Sequence, residues 1–181
     1  FRDLARYLVR YLVLPVFLLS SSVGFAQKEA EEDVLKSEGL VDLKWQHGPA
    51  TGKIDDKAAI QFDKNFVFLN ENDTADFLEM SGNLREDGNF LFAPRSLKWA
   101  VFFSFEETGY VKDDEKIDAD ELLKTLRSNE KEANAQRKQL GLSALFNDGW
   151  QVLPHYDSAS KHLEWGIRLR DGEGNKNANY T

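Results

Sequence analysis

The chain contains no cysteine, which excludes disulfides, thiol catalysis and cysteine-ligated zinc. It has only three histidines, His47, His155 and His162, so histidine chemistry can be searched position by position. There is no G-x-S-x-G elbow, no H-E-x-x-H pair and no phosphate-binding glycine loop. Those absences remove the usual hydrolase, zinc-protease and nucleotide signatures. Basic charge is scarce: 23 Lys and Arg stand against 31 Asp and Glu, a formal net charge of −8. Such a surface excludes nucleic acid as an expected partner and disfavours unaided binding to anionic lipid. Internal repeats and low-complexity linkers are also missing. Aromatic residues are plentiful, with 13 Phe, four Trp and five Tyr, and in a chain without disulfides they must supply the core.

The first 26 residues read as a secretory signal. Arg2, Arg6 and Arg10 form a positive start, residues 11–19 a short apolar centre, and Gly24, Phe25 and Ala26 a small-x-small cleavage site. The apolar run is too short to favour a spanning helix, and no twin arginine is present, which points to the general secretory route. Cleavage after Ala26 leaves 155 residues, with 20 basic against 30 acidic side chains and a net charge of −10. That length is one domain. The expected organisation is a signal over 1–26, a polar spacer over 27–40 and a single extracytoplasmic domain over 41–181, with a fragment boundary at its end.

Residues 99–141 carry the strongest local signals. Trp99, Val101, Phe103 and Phe105 alternate with Ala100, Phe102 and Ser104, which predicts a strand covered on both faces, as a central strand is. Gly109 and Tyr110 break it. Asp113, Asp114, Glu115, Asp118, Asp120 and Glu121 then place six carboxylates in nine residues. An EF-hand loop fails here, because counting from Asp113 the fifth position is Ile117 and the sixth is not glycine. A solvated acidic loop leading into a helix cap is preferred over a looser calcium site. Asp118 and Glu121 have capping-box spacing. The helix continues through Leu122, Leu123 and Leu126 and stops near Gly141. Beyond Leu126 the apolar stripe nearly vanishes, so the N-terminal half is expected to pack, and the second half to be solvated in preference to forming a docking surface for a partner.

Elsewhere, Val41, Leu43 and Trp45 alternate with polar neighbours and predict a first strand, stopped by Gly48 and Pro49. A second is expected towards Ile60 and Phe62, a third over 65–69, and a short helix over 74–81 capped by Asp73 and stopped by Gly82. Phe90, Leu91 and Phe92 form a short apolar run ended by Pro94. Residues 142–147 read as a connector and 150–154 as a strand. After a turn at 158–161, Leu163, Trp165, Ile167 and Leu169 alternate with His162, Glu164, Arg168 and Arg170. This is the cleanest amphipathic strand in the chain, and it predicts a hairpin with the strand before it. A turn over 171–175 precedes a further strand from Ala178. The fold class expected is α+β: a mainly antiparallel sheet with one long and one short helix packed on it.

His155, Asp157 and His162 flank the hairpin turn, and two histidines with one carboxylate make a familiar metal set. Against this, His162 falls on the solvent face of its strand, and strand-end histidines are common. No catalytic residue and no cofactor is expected from spacing alone.

Several runs together resemble a known family. They are W-Q-H-G-P at 45–49, E-E-T-G-Y-V-K-D-D at 106–114, I-D-A-D-E-L-L at 117–123, P-H-Y-D at 154–157, L-E-W at 163–165 and N-Y-T at 179–181. They resemble the bacterial membrane-anchored proteins grouped as domain of unknown function 2167. The resemblance implies a secretory signal and further strands beyond residue 181 ending in a hydrophobic anchor. It implies no activity, cofactor or site residue. The expectation is an envelope protein on the periplasmic face of the bacterial inner membrane, a non-catalytic binding or structural module with an envelope partner. The alternative is a metal-dependent, hydrolase-like enzyme using His155, Asp157 and His162.

Overall fold

The computed structural model describes Leu35, residues 39–105 and residues 117–181. The signal, the turn at Gly109 and Tyr110, and the carboxylates at 113–115 lie outside the described residues.

The first half is a three-layer stack. Its middle layer is an antiparallel sheet of β1 (Gln46–His47), β4 (Phe66–Leu69), β5 (Asn89–Pro94) and β6 (Val101–Ser104), in the order β1-β4-β5-β6. The hairpin of β2 (Ala50–Ile54) and β3 (Ala58–Phe62) covers one face, and helix α1 (Glu71–Met80) covers the other. The strand period of two sorts the side chains by size. Val67, Leu69, Leu91, Ala93 and Phe102 meet Phe77 and Leu78 of α1. Phe66, Phe68, Phe90, Phe92 and Phe103 turn to the hairpin, where Ile54 and Phe62 receive them. The rings stack diagonally across β4 and β5, with Phe66 and Phe92 centroids 5.0 Å apart. Gly52 is required here, since a Cβ at that position would lie 2.6 Å from the Phe68 ring.

Four expectations change in this half. Residues 40–42 form a 3-10 turn, not a strand, and the Trp45 indole N–H donates to the Leu40 carbonyl at 2.8 Å. Leu35 and Leu40, in the segment read as a spacer, are buried in the core. Helix α1 begins three residues early: Asn70 is its cap, accepting from the Asp73 N–H at 3.1 Å, while buried Asp73 accepts from the Lys44 N–H. Strand β6 is covered on both faces as expected, but it lies at the edge of the described sheet because β5 pairs with β4 on its other side.

The second half is α2 (Ala119–Gln139) with an antiparallel sheet of β7 (Leu145–Asp157), β8 (His162–Asp171) and β9 (Lys176–Tyr180). The Asp118 carboxylate accepts from the N–H groups of Asp120 and Glu121, as its capping position requires. Both helices end in a left-handed glycine: the Asn83 and Leu142 N–H groups reach back to the Leu78 and Arg137 carbonyls, behind Gly82 and Gly141. Strand β7 is longer than expected. It passes through Pro154 and carries irregularities at Asp148, at Gln151 and between Val152 and His155.

The second half of α2 is not solvated on all sides. Arg127, Glu130, Asn134 and Arg137 lie at intervals of three and four, one face of a helix. That face satisfies the outer edge of β7. The Asn134 amide donates to the Leu145 carbonyl at 2.7 Å and accepts from its N–H at 2.8 Å. Glu130 accepts from the Asn147 N–H at 2.7 Å, and Arg127 donates to the Asn147 carbonyl. Arg137, 7% exposed, donates to the carbonyls of Ser143 at 2.6 Å and Gly82 at 3.0 Å, and so ties α2 to the end of α1. Burial holds its pKa below the ordinary arginine value.

Replacing Arg137 by Leu strands two carbonyls and is expected to lower stability by about 2–3 kcal/mol in chemical denaturation. Replacing exposed Lys138 by Leu should change it little, and equal effects would contradict the role given to Arg137.

Candidate functional site

The β7–β8 hairpin places its two strands in the register His155 opposite Glu164 and Asp157 opposite His162. Residues two apart share a strand face, so His155, Asp157, His162 and Glu164 all stand on one face near the hairpin tip. Sequence reasoning named the first three; Glu164 joins them by register. Proximity on a face is not convergence, however. Among the described residues no three His, Cys, Asp or Glu side chains come close enough to hold a metal ion. The Asp157 carboxylate is committed to its own turn, accepting from the Ala159 N–H at 2.9 Å and the Ser160 hydroxyl at 2.8 Å. Those bonds, the Ala159 N–H foremost, hold its pKa below the usual carboxylate range, with a smaller contribution from His155.

The same sheet borders a cleft further from the tip. There Asp148, Gln151, Arg168, Leu169, Lys176, Asn177 and Ala178 face Trp99, which is contributed by the loop before β6. The cleft has a volume of about 470 Å³ and is open to solvent. Two of the β7 irregularities fall on Asp148 and Gln151, so the bulged residues are the ones re-aimed into the cleft wall. Trp99 is 38% exposed, and its ring is backed by Phe66 at 6.1 Å and Phe92 at 5.9 Å.

The charges in the cleft are unequal in their pairing. Arg170, beside it, reaches both oxygens of Asp148 at 3.2 and 3.4 Å and lies 4.9 Å over the Phe146 ring. Arg168 donates to the Asp148 backbone carbonyl, at 3.3 Å. Among the described residues neither Arg168 nor Lys176 has a carboxylate partner.

Sequence alternation assigns Arg168 and Arg170 to the polar face of β8. It does not reveal the cleft, because Trp99 reaches it from another part of the chain and the bulges shift the register of β7. Asp148 before Gly149, which adopts φ +105°, is the one local sign of a bulge.

These features define an α+β domain with antiparallel sheets, two helices and an open, cation-bearing cleft. The chain belongs to the family described as protein of unknown function DUF2167, whose model matches residues 46–181. No curated protein and no solved structure matches it.

Asp157 gives a pH test. Its folded pKa is depressed, so its contribution to stability is full above the unfolded carboxylate range and is lost as pH falls through the folded value. Asp157→Ala is therefore expected to melt below the parent at pH 7, with the gap closing as pH falls through that range. A gap that stays constant with pH would contradict the turn's electrostatic role.

Proposed function

We propose that this domain is a non-catalytic binding module of the cell envelope, working outside the cytoplasm and tethered to the membrane in the intact protein. The cleft carries the reading. It joins an exposed Trp99 to Arg168 and Lys176, cations without carboxylate partners among the described residues, on a wall shaped by two bulges. Aromatic and cationic groups on an open concave surface suit recognition. Export is supported by the signal pattern of residues 1–26.

Two experiments test this. Residues 1–40 fused to a phosphatase whose disulfides form only outside the cytoplasm are expected to yield active enzyme. Activity only from a cytoplasmic reporter would overturn the location. A photo-crosslinker at Asn177 should capture an envelope component in cells, whereas one at exposed Lys53 on β2 should not. Capture at neither position, or equally at both, would overturn the assignment of the cleft.

A further inference from the structure

We propose that the cleft recognises an anionic sugar. Arg168 and Lys176 hold its carboxylate or phosphate, and Trp99 supports its ring. This rests on the binding-module reading and adds the chemical class of the ligand.

Charge provides the first argument. Acidic residues outnumber basic ones by 31 to 23, so carboxylates are abundant, yet among the described residues Arg168 and Lys176 border the cleft with no carboxylate paired to either. Asp148, the carboxylate lining that cleft, is held by Arg170 in a two-point contact and does not neutralise them. Arg127 adds to the positive field. Its Nη2 and that of Arg168 lie 3.8 and 3.5 Å from the position a Cβ on Gly149 would take. Both guanidinium groups thus lie within van der Waals reach of one point beside Gly149. Two like charges brought to one glycine repel each other, and a bound oxyanion converts that repulsion into attraction.

The rest of the lining sets the ligand's shape. Trp99 presents a partly exposed ring held from behind by Phe66 and Phe92, a rigid platform for the apolar face of a pyranose. Gln151 and Asn177 supply amide donors and acceptors suited to hydroxyl groups. A volume of about 470 Å³ fits a small ligand and not a buried macromolecular segment.

The test is calorimetric titration of the purified protein with glucuronate, glucose 1-phosphate, inorganic phosphate and uncharged glucose. One or both charged sugars should bind at least about tenfold more tightly than glucose. Binding of glucuronate alone would identify a sugar acid, and of glucose 1-phosphate alone a sugar phosphate. Arg168→Gln and Lys176→Gln, each checked for an unchanged melt, should weaken binding about tenfold or more. Trp99→Ala should erase the advantage of the sugar over inorganic phosphate, and added salt should weaken the parent's binding. No binding by any anion, binding that survives both cation substitutions, or equal binding of glucose would each overturn the proposal. If the anions fail while crosslinking at Asn177 persists, this inference falls and the binding-module reading stands.

Discussion

The second half of this domain depends on a helix face that has almost no apolar residues. An edge strand leaves a row of N–H and C=O groups open, and those groups must be satisfied. Here α2 satisfies them with side chains. Asn134 offers Leu145 a donor and an acceptor, as a neighbouring strand would, and Glu130 and Arg127 do the same for Asn147. Arg137 extends the face to Gly82, so the polar stripe that closes the edge of β7 also joins the second half to the end of α1. Its charge lies in the last turn of α2, where the helix dipole favours a cation. Its burial is tolerable because two carbonyls receive it.

The cleft follows from this arrangement. With its first residues fixed against α2, β7 can depart from regular pairing at Asp148 and Gln151 without losing its place in the sheet. The departures bend the strand and direct both residues to the face that Trp99 overlooks. Trp99 is in turn a consequence of the first half. The aromatic face of the four-stranded sheet ends in Phe66 and Phe92, and Trp99 caps that ladder with one side left open. Each wall of the cleft is thus the outer surface of a structure formed for another reason.

How much of this is legible in the sequence depends on whether the determinant is local. The apolar run at 65–69 and the alternation at 99–105 and 163–169 mark real strands, and Gly82 and Gly141 end real helices. The α+β class follows from those. Local pattern misleads where a single side-chain bond competes with it. The alternation of Val41, Leu43 and Trp45 looks like a strand, yet the Trp45 indole bond accompanies a 3-10 turn at Leu40. Asp73 has the chemistry of a cap, but Asn70 takes that position and leaves Asp73 to hold Lys44. The polar stripe of α2 was hidden for a different reason. Apolar periodicity reports apolar burial only, so a face that docks through hydrogen bonds looks the same in sequence as one facing water. The candidate site was the least legible part. His155, Asp157 and His162 are close in sequence and share a face, whereas Trp99, Arg168 and Lys176 meet only through the fold.

The most direct test of this account is amide hydrogen exchange at Leu145 in the parent and in Asn134→Ala. If the side chain of Asn134 substitutes for a neighbouring strand, the Leu145 amide is protected in the parent and loses that protection in the variant. Leu91, buried in β5 of the other sheet, should keep its own. Unchanged protection at Leu145 would show that the edge of β7 is held by something other than the polar face of α2, and would contradict the account.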